Sequence, residues 1–158
     1  MSVFTRDDGY LPLDLLQSGL HHFDAARELL QKDPAHYDSG GYLLHLAIEL
    51  LLKSWLLQLN NQFDGTHSLG TLRQRIVEAG IKLNLDKSEN RVLDHLDRLF
   101  DLRYPNRKNP VEIGPDEFQL ANRVLEKLWD LMPSELLKAL EELPSGSKGD
   151  LPGDFRTV

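Results

Sequence analysis

The chain of 158 residues contains no cysteine. That absence excludes a disulfide scaffold, thiolate-bound zinc and a cysteine nucleophile, and it suits a reducing compartment, so a cytoplasmic location is expected. Positive charge is also scarce: 18 Lys and Arg against 25 Asp and Glu leave a net charge of −7. A dedicated non-specific DNA binder draws its affinity from clustered cations and is not expected here, although a local basic site is compatible with the balance. The opening residues, MSVFTRDDGY, hold no apolar run long enough for a signal peptide. Also missing are a phosphate-cradling glycine motif, a nucleophile elbow, a two-histidine helical zinc motif and any carboxylate pair singled out by its spacing. No internal repeat is visible. No convincing strand is visible either, since residues 81–85 alternate only weakly over a short span.

What is abundant is leucine at helical spacing. The chain is organised around residues 42–59, YLLHLAIELLLKSWLLQL, where His45, Glu49 and Lys53 fall four residues apart. At 3.6 residues per turn these three follow one narrow stripe, while Leu, Ile, Ala and Trp cover the remainder. A helix that is apolar nearly all round is central, with neighbours on several sides. A membrane span is not expected, because Glu49 and Lys53 at mid-helix would cost about 2.5–3.5 kcal/mol each in a bilayer. The length supports one domain over residues 1–143, able to hide roughly 68–70% of its unfolded surface without staples.

The remaining elements read as helices around that core. A first helix starts near Pro12, with Leu13, Leu16, Leu20, Phe23 and Leu30 inward, and ends before Pro34. Asp38 or Ser39 is the expected cap of the central helix, and Gly40 and Gly41 would let another backbone approach. Residues 60–65, NNQFDG, are turn chemistry. A third helix carries Leu69, Leu72, Ile76 and Val77 inward and ends at Gly80. Asp86 and Glu89 form a capping box for a fourth helix that buries Val92, Leu93, Leu96, Leu99 and Phe100 and stops at Arg103-Tyr104-Pro105. A long loop follows to Pro115. The fifth helix buries Phe118, Ala121, Leu125, Leu128, Trp129 and Met132, and Pro133 opens a short last one over residues 134–143. From Pro144 the chain is rich in Gly, Pro and Ser, and residues 144–158 are expected to be a disordered tail. The fold class is all-α, an antiparallel up-and-down bundle of five to six helices.

Three places are candidates for chemistry. The His45–Glu49–Lys53 stripe is either solvated, tucked at the rim of the core, or turned toward a polar cleft. His45 and Glu49 lack a third ligand of matching spacing, so no metal site is expected, and nothing calls for a cofactor. The run Leu102-Arg103-Tyr104-Pro105-Asn106-Arg107-Lys108 sets three cations around an aromatic in a turn stiffened by proline. Arginine offers a planar fork for phosphate and tyrosine a face for a base; the plainer account is that Arg103 caps the helix end and Tyr104 packs. In Thr66-His67-Ser68, Ser68 suits a helix cap and leaves His67 free to meet a ligand.

Taken together, LAIELLLKSWL, GTHSLGTL and LDHLDRLFDLRYPN resemble the HEPN domain family over roughly residues 15–131. The resemblance implies a helical bundle, a homodimer, and one of two functions. One branch consists of metal-independent ribonucleases of toxin, defence and CRISPR systems built on an Arg-x(4–6)-His motif; the other binds nucleotides, RNA or protein partners. A nucleotidyltransferase or other protein partner is in keeping with it, the former pointing to a toxin system. None of His21, His22, His36, His45, His67 and His95 follows an arginine at that spacing. The expectation is therefore a non-catalytic domain whose ligand site joins Glu49, Lys53, His67, Arg103, Tyr104, Asn106 and Arg107. The alternatives are a diverged ribonuclease using Arg103 with His67, and a purely structural interaction module.

Overall fold

The computed structural model describes residues 2–144, so the expectation of a disordered tail falls almost wholly outside the described residues. The described residues open on a strand, although the sequence shows no convincing one. β1 (Val3–Thr5) pairs antiparallel with β2 (Gln62–Asp64), with Phe4 opposite Phe63, and the Gly65 amide extends the ribbon to the Ser2 carbonyl at 2.8 Å. Three residues per strand are too few for a period-of-two signal, and turn-type residues surround β2, so the pairing left no mark in the pattern. It is held by an aromatic cluster of Phe4, Tyr10 and Phe63, with ring centroids 5.3–5.6 Å apart.

Six α-helices make up most of the described residues. α1 (Pro12–Leu30) starts on its proline and buries Leu16, Leu20, Phe23, Ala26 and Leu30, one stripe at three- and four-residue steps. Its partner is α2 (Tyr37–Asn60), and no other pair of elements packs so extensively. The two come close at Gly19, where an added Cβ would sit 3.1 Å from the Ala47 carbonyl oxygen. The close approaches at Gly40 and Gly41 are to side chains instead, Leu30 at the first and Leu102 with Ile113 at the second, which corrects the expected backbone contact.

α2 also begins earlier than expected. A 3-10 turn at Pro34–His36, capped by the Asp33 carboxylate on the Ala35 amide at 2.9 Å, runs directly into it, so neither Asp38 nor Ser39 is its cap. It ends on Asn61 in the left-handed conformation, φ 59°. Trp55, Leu44, Ile48, Leu52, Leu56 and Leu57 are shut away from solvent, and each such side chain contributes about 1.5–3 kcal/mol of transfer free energy.

α3 (Leu69–Glu78) turns Leu69, Leu72 and Ile76 inward and closes through Gly80 at φ 94°. Val77 lies on the solvent side instead, 45% exposed, because it falls one position beyond the buried stripe. α4 (Lys87–Asp97) starts on the capping box of Asp86 and Glu89. It stops as an α-helix at Asp97 and continues as a tighter 3-10 segment over Arg98–Arg103. α5 (Pro115–Asp130) and α6 (Ser134–Glu141) follow the long loop and complete the enclosure. One cluster of buried side chains runs from Leu16 to Leu140, with α2 contributing to it throughout.

Candidate functional site

The polar stripe of α2 faces inward. His45, Glu49 and Lys53 are 0%, 3% and 7% exposed, which removes the solvated alternative. Lys53 Nζ donates to Glu49 Oε2 at 2.8 Å, a buried pair one helical turn apart. Removing one member of such a pair would strand the other charge and cost about 3–5 kcal/mol. Beyond Lys53 the β-ribbon closes the row, with the ammonium 5.6 Å from the Phe63 ring. On its other side the Glu49 carboxylate accepts from His67 Nδ1, 3.1 Å from Oε1. Because a carboxylate only accepts, Nδ1 carries the hydrogen and Nε2 is the nitrogen left for a ligand. The His67 side chain is 58% exposed, so this is where the buried row reaches the surface.

His45 lies between two carboxylates. Its Nε2 is 3.4 Å from Asp97 Oδ1, while its Nδ1, 3.8 Å from Glu49 Oε1, makes no hydrogen bond. Asp97 does more than meet His45. Its carboxylate accepts from the Leu69 amide at 2.9 Å, the Gly70 amide at 3.4 Å and the Ser68 hydroxyl at 3.3 Å. Thus the last residue of α4 sits on the N-terminus of α3. Burial opposes ionisation of Asp97, but the hydrogen bonds from His45, Leu69 and Gly70 and the charge of His45 outweigh it and hold the carboxyl below its ordinary value.

Phe100, in the 3-10 segment after Asp97, joins the histidine to the basic turn. Its ring stacks on His67 with centroids 4.6 Å apart and planes 17° apart, and the Arg103 guanidinium carbon lies 3.5 Å from its centroid. Arg103 Nε donates to the Phe100 carbonyl at 3.1 Å, which is the helix-end contact anticipated for it. Its terminal nitrogens have no hydrogen-bond partner among the described residues. Tyr104 does not pack: it is 72% exposed, the most exposed of the large hydrophobic side chains described. Tyr104, Asn106 and Arg107 line a shallow groove of about 260 Å³ together with Asp38, Asp101 and Val111. Asn106 is committed locally, accepting from the Lys108 amide at 2.9 Å.

The seven expected residues therefore fall into two adjoining groups. Glu49, Lys53, His67 and Arg103 form a continuous row through Phe100, and Tyr104, Asn106 and Arg107 line the groove that begins next to Arg103. Glu49 and Lys53 are buried, so a surface ligand would feel them through His67. Two residues of the arrangement escaped the sequence reading, Asp97 and Phe100. An acid in the last turn of a helix opposes the dipole and so signals a partner elsewhere, but the expected helix ran on to Arg103 and hid that position. Phe100 has the right spacing for the core and gives no further sign. Among the described residues no group of three His, Asp or Glu side chains is placed to hold a metal.

The fold and site define an all-α bundle whose central helix carries a buried Glu–Lys pair leading to an exposed histidine and a basic turn. The HEPN domain family model matches residues 13–141, and the chain belongs to that family. No curated protein and no solved structure matches the chain.

Proposed function

We propose that this protein is a non-catalytic HEPN domain that binds the phosphate of a nucleotide or of single-stranded RNA at the surface of His67, Arg103, Tyr104 and Arg107. The observation that carries the reading is the His67–Phe100–Arg103 stack, 4.6 Å and 3.5 Å between neighbours, beside an exposed tyrosine. Two cationic or N–H donors are thereby oriented by packing and not by chance solvation, and pre-ordered donors bind phosphate without an ordering cost. Tyr104 supplies a face on which a base can stack, and Arg107 extends the charge along the groove. The net charge of −7 supports a local site over a broad electrostatic one.

Titration with AMP and with a short oligoribonucleotide tests the reading. Saturable binding is expected, weakened tenfold or more in Arg103→Ala and Arg107→Ala with the melting temperature unchanged. Absence of saturable binding by the native protein to either probe would leave a structural interaction module as the account.

One observation favours a second reading, a diverged ribonuclease. His67 is backed by the Glu49 carboxylate at 3.1 Å and shares a ring with Arg103, although the two residues lie 36 positions apart and in the order opposite to the Arg-x(4–6)-His motif. Nε2 would take the proton of a ribose 2′-hydroxyl while Arg103 balanced charge on the phosphate. RNA cleavage without metal, lost in both His67→Ala and Arg103→Ala, would move the protein to that class.

A further inference from the structure

We infer that Asp97 is the positioning residue of this surface, the group that fixes His67 and Arg103 relative to each other. The inference rests on the ligand face proposed above and concerns how that face is held. Asp97 belongs to α4, yet three of its bonds go to the start of α3, to Ser68, Leu69 and Gly70, and a fourth reaches His45 of α2. α3 already has a cap of its own, since Ser68 Oγ accepts from the Thr71 amide at 3.2 Å. That cap satisfies one of the amides a helix start leaves open, and the acceptor for two others, Leu69 and Gly70, comes from Asp97, 28 positions from Leu69. What the second acceptor does is tie one segment to another.

The segments it ties carry the ligand face. His67 immediately precedes Ser68, and Phe100 and Arg103 lie three and six residues beyond Asp97, on the next turns of the chain. The bond to His45 anchors the knot to the buried row, whose other end holds His67 through Glu49. His67 is thus placed from two sides, by Glu49 at its ring and by Asp97 through the residues that follow it, Ser68, Leu69 and Gly70. Four donors converge on two carboxylate oxygens, and an amide in place of the carboxylate retains one acceptor oxygen and turns an N–H₂ toward other donors.

The test is Asp97→Asn in the full chain, with Arg73→Ala as the control. Arg73 links the same two helices, to Asn90 at 3.1 Å and Asp94 at 3.3 Å, without touching the ligand face. The first readout needs no ligand: proton NMR of the His67 ring, which lies in the ring-current field of Phe100. In Asp97→Asn those signals are expected to move toward their positions in the unfolded chain, and the dissociation constants for AMP and the oligoribonucleotide to rise tenfold or more. In Arg73→Ala both are expected to stay within twofold of native, whatever the loss in melting temperature. A folded Asp97→Asn with native His67 signals would overturn the inference, as would native affinity in that variant alongside lost affinity in Arg103→Ala. Should Asp97→Asn fail to fold, Asp97→Glu, which keeps the charge and lengthens the arm, is read by the same signals with the same outcomes. If the native protein binds neither probe, the proposed ligand face fails, and the NMR comparison still decides the role of Asp97.

Discussion

Glu49 is the residue on which the polar interior turns, because three side chains meet its carboxylate from different directions. Lys53 and His67 are within 3.1 Å and His45 is at 3.8 Å. Burying an ionised carboxylate is tolerable only with such company. Lys53→Met should therefore destabilise the fold by about 3 kcal/mol in urea unfolding, because the stranded carboxylate keeps only the histidine. Glu49→Gln combined with Lys53→Met should cost less than the two single changes added together, since neither leaves an unpaired charge in the presence of the other. A double change as costly as the sum would mean that the pair contributes nothing as a pair. The stripe itself was readable from the four-residue spacing, but its orientation was not. A narrow polar line on an apolar helix satisfies water and a buried network equally well until the neighbours are placed.

Asp97 gives a pH dependence whose sign follows from its bonds. Its folded carboxyl is held below the ordinary value, so the unfolded chain binds more protons than the folded one as the medium is acidified. The stabilisation is complete above the unfolded value of about 3.9 and is lost as pH falls from there through the folded value. Acid titration of stability should show a shallower slope in Asp97→Asn than in the native protein over that window. Equal slopes would mean that the carboxylate is not coupled to folding.

At the level of elements, the α1–α2 contact is set by a glycine. Gly19 lies in the middle of α1, where alanine would favour the helix by about 1 kcal/mol. An added Cβ meets the Ala47 carbonyl oxygen at 3.1 Å and the Leu51 nitrogen at 3.4 Å, both backbone atoms that yield only if the helices part. Gly19→Ala should consequently be near neutral, its helix gain offset by compression. Gly19→Val should lose about 2–3 kcal/mol in thermal or urea unfolding. A neutral valine would show that the two helices slide freely. Most of the six helices were legible because proline, glycine and acid–serine punctuation bracketed long periodic runs. The β-ribbon was not, and neither was the change from α to 3-10 winding at Asp97, since both depend on partners distant in the chain.

For the molecule as a whole, acidity and a basic turn make opposite demands on a polyanionic ligand. With a net charge of −7, the proposed affinity for RNA would draw on the few cations of the basic turn, Arg103, Arg107 and Lys108. For single strands each neutralised phosphate contributes about −0.7 to the slope of log affinity against log salt, so a slope of about −2 is expected for the oligoribonucleotide. A slope of −5 or steeper would require a larger basic surface than this face offers.

The amino-acid sequence alone determined the helical class, the central place of α2 and the family, because hydrophobic period, capping residues and short motifs are local properties of the chain. Only the tertiary structure decided that the Glu49–Lys53 row is buried, that His67 is its outlet and that Phe100 and Asp97 bind that outlet to the basic turn. Those relations join residues 18 to 52 positions apart. Spacing within one helix carries no information about which neighbouring segment will lie over it, and that choice is made by packing.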